Sequence, residues 1–498
     1  MKRIFSTLCL ALLSLTALAD EGMWLPSLIS SRIDDMRAKG FQLTAEDIYS
    51  INKASLKDAV MLFDDGCTAE LISPEGLLIT NHHCGYGAIQ RLSSVEHDYL
   101  TDGFWAQSRE EELPNENLNV KFLKRMEDIT ERLAAGESRE EILEKARENG
   151  RYKASIEQMY YGNQQFLFVY EQFDDVRLVG TPPSSIGKFG GDTDNWMWPR
   201  HTGDFSVFRI YANTKNGPAD YSPENVPYHP EYVAPISLDG YKEGSFCMTL
   251  GYPGSTERYL SSYGIEEMMN GINQAMIDVR GVKQTIWKRE MDRRPDIRIK
   301  YASKYDESSN YWKNSIGTNK AIKHLKVLEK KWVAEAELRN WIQSHPEERE
   351  KLIRLFSSLE LSYSNRRETN RALAYFGESF INGPELVQLA LEILNFDFEA
   401  EEKLVITRMK KLLEKYDNLD LSIDKEVFAA MLKEYQSKVD KKFLPAMYEK
   451  IDTLYNGNIQ TYVDSLYATS NITSPKGLKR FLERDTTYNL CLLYTSPS

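Results

Sequence analysis

The densest group of reactive side chains in the sequence is two adjacent histidines and a cysteine, His82, His83 and Cys84. A neutral imidazole with an ordinary pKa near ~6.5 can take a proton from a hydroxyl group, and it can also bind a metal ion. Consecutive residues of a β-strand point to opposite faces, so two histidines at the end of a strand cannot easily share one ion. A metal site shared by both histidines is therefore disfavoured, and we expect no metal and no cofactor.

A general base also needs a carboxylate that fixes its tautomer and stabilises the imidazolium. The glycine-rich stretch 184–204 contains three aspartates, Asp192, Asp194 and Asp204, which the residue types alone rank equally. Its glycines and its two tryptophans within three residues are typical of a shaped loop. The following run 205–211 predicts a strand, which places Asp204 at a loop-to-strand junction.

The residues before the histidines predict the element that positions them. Two apolar runs, 71–72 and 77–79, flank the sequence Ser73-Pro74-Glu75-Gly76. Serine first, proline second and glycine fourth suit a type I turn between paired strands. The second of these strands would lead directly to His82 and His83.

Farther along the chain, the hydrophobic pattern separates a strand-rich part from a helical part. Residues 121–160 are highly charged and predict a helical excursion, and 246–250 predict a further strand. From about residue 263 the apolar spacing becomes helical. One example, at spacings of three, four and three residues, is Leu386, Leu389, Ile393 and Phe396. Long helices rich in lysine and glutamate are therefore predicted over roughly 263–485.

The N-terminus indicates export. Lys2 and Arg3 precede an apolar run, 4–15, and Ala17-Leu18-Ala19 gives a small-x-small cleavage pattern. This predicts a secretory signal peptide over residues 1–19, too short to span a bilayer, and a periplasmic or extracellular protein. No later run reaches transmembrane length, and a net charge of -12 argues against a nucleic-acid partner. Export also permits disulfides.

Several sequence blocks, all in one order, resemble the bacterial exported dipeptidyl-peptidase family S46. The blocks that carry this resemblance are Gly22-Met23-Trp24, Gly66-Cys67-Thr68, Thr80 to Tyr86, Leu100 to Trp105, Gly187 to Asp204, Gly251 to Gly254 and Ser309 to Ser315. They extend over nearly all of the chain up to about residue 485. The histidine-cysteine pair also resembles the chymotrypsin-type histidine hairpin.

The resemblance implies a β plus α fold. Residues 20–262 would form a chymotrypsin-like double β-barrel, its second barrel incomplete here, and residues 263–489 a large inserted α-helical domain that caps the cleft. The activity implied is that of a serine-type dipeptidyl aminopeptidase, which releases dipeptides from the free N-termini of peptides. The histidine hairpin implies a disulfide between Cys67 and Cys84.

Carried over by position, the family's site residues fall on five side chains of this sequence. His83 would be the general base and Asp204 the acid that orients it. Asn195, Trp196 and Asn310 would bind the ammonium group of the substrate's N-terminus. An amide oxygen can accept a hydrogen bond from an ammonium group, and an indole face or the tryptophan backbone carbonyl can also attract it.

The nucleophile of such an enzyme is missing from this sequence. The family carries it in a glycine-flanked serine motif, Gly-Asn-Ser-Gly-Ser-Pro, which does not occur among the 498 residues. Residues 491–498 do not continue the family pattern and resemble translated adapter sequence. We therefore expect an N-terminal fragment, inactive by itself, of a longer enzyme, with a non-native tail over 490–498.

Two other functions stay open at this stage. One is a non-catalytic exported peptide-binding module that uses the same cleft, and the other is a trypsin-like endopeptidase. The blocks 87–90 and 112–114 are closer to family members of broad or hydrophobic preference than to those that prefer Asp or Glu. The family tends to form dimers, so a homodimer is a further expectation.

Overall fold

The computed structural model describes residues 23–254, 256–257, 260–395 and 402–482. The predicted signal peptide, 1–19, and the predicted tail, 490–498, lie outside the described residues. Within those limits the chain forms two compact units, which are described in turn. The first takes in residues up to Thr80, Glu116–Arg177 and Phe208–Pro253, and the second takes in Asn81–Asn115, Leu178–Val207 and the residues from Gly254 onwards.

Strands and helices both contribute, so the fold is mixed. The strands of the described residues are β1 (Val60–Phe63), β2 (Cys67–Leu71), β3 (Leu77–Thr80), β4 (Phe104–Trp105), β5 (Leu113–Pro114), β6 (Val120–Asp128), β7 (Lys153–Met159), β8 (Gln164–Phe173), β9 (Val176–Thr181), β10 (Ser206–Ala212) and β11 (Val226–Pro227). The helices of eight residues or more are His82–Leu92, Arg139–Arg147, Gln274–Arg293, Pro295–His324, Val327–Gln343, Pro346–Phe376, Glu385–Leu394, Glu402–Asp417, Leu421–Lys438, Met447–Leu454, Ile459–Thr469 and Pro475–Leu482.

In the first unit, antiparallel strands are hydrogen-bonded in the order β3-β2-β1-β6-β8-β7. The pleat of β8 sends alternate side chains to two separate clusters. Phe166 and Phe168 pack with Met126, whereas Leu167 and Val169 join a cluster with the helix Arg139–Arg147. Both faces of β8 are therefore buried, and this strand contributes to two apolar clusters of the unit.

The predicted hairpin is present. Strands β2 and β3 pair antiparallel with Glu70 opposite Ile79, and the turn between them contains Gly76 at a φ of 71°. A Cβ at Gly76 would lie 2.8 Å from the backbone oxygen of Ile210 and 3.0 Å from that of Tyr228. Glycine is therefore required both by the positive φ and by the close approach of backbone from elsewhere in the unit.

Two predictions for the first unit were wrong. Residues 121–160 are not helical throughout, because β6 and β7 occupy their ends, although short helices do lie between them. Charged residues and a register shift between Leu123 and Arg125 interrupt the alternation of β6, and this hides its period of two. Residues 246–250 form no strand. The apolar side chain of Phe246, which suggested one, packs instead against Phe41, with ring centroids 5.1 Å apart.

The second unit is mainly helical, as its sequence period predicted. Leu386, Leu389 and Ile393 are buried on one face of the helix Glu385–Leu394, and Phe396 lies outside the described residues. The three buried residues belong to one apolar cluster, most of whose other members lie on helices between Gln274 and Leu482. In the described ranges, no helix combines the length and the hydropathy that a membrane crossing requires.

The hairpin turn gives a first testable prediction. Gly76→Ala should lower the free energy of unfolding by about 2–4 kcal/mol, because a left-handed backbone and a backbone contact both oppose the added methyl group. Urea denaturation measures this change. Gly66→Ala is the matched control, since its added Cβ would come no closer than 3.8 Å to the Asp64 oxygen. An equal, small effect of both substitutions would contradict the argument.

Candidate active site

His83 lies in the first turn of a helix and not on a strand, which corrects the prediction. Strand β3 ends at Thr80, and Asn81, in an extended conformation, precedes the helix His82–Leu92. The first turn closes through a hydrogen bond from the Gly85 amide to the Asn81 carbonyl. Because both histidines lie on a helix, they do not point to opposite faces of a strand. The chemical environment of each ring therefore has to be compared.

Asp204 contacts this helix start through both carboxylate oxygens. Its Oδ2 lies 2.7 Å from His83 Nδ1, and its Oδ1 accepts a hydrogen bond of 3.1 Å from the His83 backbone N–H. The Asn81 amide donates to the Asp204 carbonyl at 3.2 Å. The carboxylate thus satisfies a backbone N–H that the helix leaves unpaired, at the end where the helix dipole favours negative charge.

This geometry fixes the chemistry of His83. An ionised carboxylate only accepts hydrogen bonds, so Nδ1 carries the proton and the lone pair of the neutral ring is on Nε2. The hydrogen bond to Asp204 raises the pKa of His83, against the opposing effect of burial. Burial would raise the pKa of Asp204, but the two hydrogen bonds from His83 and the charges of His83 and Arg200 together outweigh it, and the pKa is lowered. The pair can therefore act as a general base with its orienting acid.

Exposure supports the same division of roles. The Asp204 side chain is 16% exposed, whereas the His83 side chain is 50% exposed and accessible to a substrate. Of the two other candidate aspartates, Asp194 packs against Gly190, where an added Cβ would meet its carboxylate. The side chain of Asp192 lies outside what the structure describes. Of the three candidate aspartates, Asp204 is thus the one that the structure pairs with His83.

His82 has a different environment and cannot share that role. It is 1% exposed, and its Nδ1 lies 3.0 Å from Thr181 Oγ1. Its ring lies directly over Gly187, where an added Cβ would come 2.5 Å from Cγ. Burial lowers the pKa of His82 to about 4, which keeps the ring neutral. In the described part of the chain its Nε2 has no hydrogen-bond partner.

The cysteines of the predicted disulfide are both disulfide-bonded: Cys67 and Cys84. A disulfide sulfur has no thiolate to offer, so Cys84 is not available as a metal ligand beside the histidines. Cys247 is free and exposed.

The three residues predicted to bind a substrate's N-terminus lie together. The indole N–H of Trp196 donates to Asn310 Oδ1 at 2.9 Å, and the Asn195 amide nitrogen donates to the same oxygen at 3.3 Å. Arg200 donates to Asn195 Oδ1 at 3.3 Å. Indole and guanidinium groups only donate, so these contacts fix which end of each amide is oxygen.

These contacts change which atoms can accept an ammonium group. Asn310 Oδ1 already accepts two hydrogen bonds, whereas Asn195 Oδ1 accepts one and keeps a free lone pair. The backbone carbonyl of Trp196, at a residue with a φ of 56°, is a further acceptor. The Asn310 side chain therefore joins residues 195 and 196, and acceptor atoms that these side-chain hydrogen bonds do not use remain on those two residues.

Sequence reasoning missed two residues of this site. Asn81 directly precedes the histidines, and asparagine is a frequent residue at helix starts, so a helix beginning at His82 could have been predicted. Thr181 gave no sequence signal, because nothing local relates the end of β9 to His82. Its hydroxyl is recognised only from the folded chain.

The buried His82 generates a pH prediction. Its pKa is about 4 in the folded state and near 6.5 unfolded, so between these values the unfolded chain binds more protons. The free energy of unfolding should therefore fall by about 3 kcal/mol from this residue as the pH decreases from 6.5 to 4.

Urea denaturation across that pH range checks the prediction in the wild type and in His82→Gln, which removes the titration. The exposed His201→Gln is the matched control and should retain the wild-type slope. If His82→Gln lost stability with decreasing pH as steeply as the wild type, His82 would not be the buried titrating group.

Comparison with known proteins shows the family. The sequence profile of Peptidase S46 matches residues 19–489. Dipeptidyl-peptidase 7 of Porphyromonas gingivalis is 42% identical over 473 residues, which cover 91% of this chain and 66% of that protein. An Asp/Glu-specific dipeptidyl-peptidase of Capnocytophaga gingivalis is 40% identical over 508 residues, 97% of this chain and 70% of the relative.

A solved structure has a similar mixed fold over most of this chain. The crystal structure of Porphyromonas endodontalis DPP11 in complex with the dipeptide Arg-Asp matches with a TM-score of 0.80 and 34% identity, and the match covers 95% of this chain and 71% of that one. The chain thus spans about two thirds of the length of these relatives. On the profile match and these identities, it belongs to peptidase family S46.

Proposed function

We propose that the protein containing this chain is an exported serine-type dipeptidyl aminopeptidase, which releases dipeptides from peptides with a free N-terminus. One observation carries the proposal: Asp204 holds His83 through Nδ1 at 2.7 Å and leaves Nε2 of a half-exposed ring as the basic atom. The names of the relatives support a dipeptidyl peptidase. The signal-like N-terminus and the disulfide-bonded cysteines are consistent with export.

The mechanism follows from the position of the lone pair. As a serine oxygen attacks the carbonyl carbon of the second residue, its proton passes to His83 Nε2. Asp204 stabilises the imidazolium, which then gives the proton to the departing amine. Water, activated by the same nitrogen, hydrolyses the acyl-enzyme and regenerates the serine.

The proposed nucleophile lies outside this sequence. The family's glycine-flanked serine motif does not occur among the 498 residues, and the relatives are longer than the stretch that matches this chain. We therefore assign the serine and its oxyanion hole to the part of the relatives that this sequence does not match. The double β-barrel of residues 20–262 and the capping domain of 263–489 are proposed with it, supported by the antiparallel sheet and the helices.

The cluster of Asn195, Trp196 and Asn310 is the proposed site for the substrate's ammonium group. Acceptors on residues 195 and 196 would face the cation, and Asn310 would hold them through its Oδ1. For the residue before the cut we propose a broad or hydrophobic preference. Relatives named dipeptidyl-peptidase 7 and relatives named Asp/Glu-specific dipeptidyl-peptidase match this chain to similar extents. A panel of dipeptide amides with Leu, Asp or Glu at that position tests the proposed preference.

Kinetics of the complete gene product test the base and its partner. His83→Ala should abolish turnover of a dipeptide-coupled chromogenic amide, and Asp204→Asn should lower kcat about 10⁴-fold because the wrong tautomer is favoured. The exposed His201→Ala is the control and should behave as the wild type. Turnover that survives His83→Ala would eliminate the proposed mechanism. Binding of peptides without any release would favour the peptide-binding module instead.

A second experiment tests the ammonium site. N-terminal acetylation of the peptide should abolish release of dipeptides, since the neutral amide cannot satisfy acceptors arranged for a cation. Asn310→Ala should raise KM about tenfold, because it removes the oxygen that accepts hydrogen bonds from residues 195 and 196. The loss of such hydrogen bonds typically weakens binding by about this factor. The exposed Asn340→Ala is the matched control. Efficient cleavage of acetylated peptides would indicate an endopeptidase.

A further inference from the structure

One face of the helix Pro295–His324 contacts both halves of the candidate site. Near its start, the backbone oxygen of Ile299 accepts from the Gln90 side chain at 2.7 Å, on the helix that begins with the histidines. One turn later Ser303 lies against Gly87, where an added Cβ would be 3.7 Å from its hydroxyl oxygen. Farther along, Asn310 contacts Trp196.

The spacing of these contacts is that of one helical stripe. Positions 299, 303, 306 and 310 follow each other at intervals of four, three and four, so they share a face. Asp306 lies between Ser303, which is near the helix His82–Leu92, and Asn310, which contacts Trp196. Its carboxylate forms an ion pair with Lys188, on the loop that continues to Asn195 and Asp204.

The Lys188–Asp306 pair lies in a partly enclosed setting. The side chains are 26% and 18% exposed. The Lys188 ammonium lies 6.0 Å from the ring centre of Tyr86 and 5.8 Å from that of Tyr305. Lys188 also directly follows Gly187, the residue on which the His82 ring packs. Removing one partner of a shielded ion pair costs more than removing one partner of an exposed pair, because the remaining charge is left uncompensated.

We propose that the Lys188–Asp306 pair sets the length of the released product, by holding the helix that bears Asn310 in register with the loop that bears Asp204. Asp306 and Lys188 are then positioning residues. An extended dipeptide spans at most about 7 Å, so the distance from the ammonium cluster to the base determines which bond is cut. This inference rests on the proposed function, and it adds the ion pair that limits the released product to two residues.

The pair also contributes to the field at the base. The charged groups that act on His83 are Asp204 and Asp306, which raise its pKa, and Arg200, which lowers it. Lys188 lowers the pKa of the neighbouring His82. Neutralising Asp306 should therefore lower the pKa of His83, whereas neutralising Lys188 leaves the carboxylate unpaired and should raise it.

Three variants of the complete protein test the proposal: Asp306→Asn, Lys188→Met and the charge exchange Asp306→Lys with Lys188→Asp. Each single variant should raise KM about tenfold with little change in kcat, and mass spectrometry of the products should show tripeptides beside dipeptides. The charge exchange should restore low KM and dipeptide release. The acid limb of the kcat/KM profile should move to lower pH in Asp306→Asn and to higher pH in Lys188→Met.

The control is Asp464→Asn, which removes the exposed ion pair with Lys425 and should leave all these quantities unchanged. Thermal unfolding midpoints show that each variant is folded. The proposal is overturned if folded single variants match the control, or if the charge exchange restores neither KM nor product length. Loss of activity in His83→Ala together with unaffected Asp306→Asn would reject this inference alone, whereas an active His83→Ala would reject the proposed function.

Discussion

The structure of the site depends on the Asp204 carboxylate, which contacts the first turn of the helix His82–Leu92. Asp204 accepts from the backbone N–H and from the imidazole of the same residue, His83, so it fixes the position and the tautomer of the ring together. A helix start is also where a negative charge is favoured, so the interaction that orients the proposed base also stabilises the helix on which it lies.

Two further parts of the second unit contact the residues around His83 and Asp204. On one side, neutral His82 is enclosed between Thr181 and Gly187, so the residue next to the base does not compete for protons near neutral pH. On the other side, the helix Pro295–His324 brings Asn310 to the loop that ends at Asp204. Two histidines adjacent in sequence thus have different environments: burial lowers the pKa of His82, whereas the hydrogen bond to Asp204 raises the pKa of His83.

The predictable features were those that short stretches of sequence determine. The turn at Gly76 and the helical period around Leu389 depend on neighbouring residues, and both were predicted correctly. Where distant contacts decide, sequence patterns failed. A bulge and solvent-facing charges obscured strand Val120–Asp128, and the apolar Phe246 packs against a distant ring instead of pairing in a sheet. No local pattern relates Asp306 to its partner in the loop, so its place beside the site required the folded chain.

The central claim is that the carboxylate of Asp204 places the proton of neutral His83 on Nδ1. Nitrogen-15 NMR of histidine-labelled protein above the pKa of this residue tests the claim most directly. The account predicts a protonated Nδ1 with a strongly deshielded proton and an unprotonated Nε2, and loss of that proton signal in Asp204→Asn. A neutral His83 with its proton on Nε2 would contradict the account, because the ring would then have no lone pair facing a nucleophile.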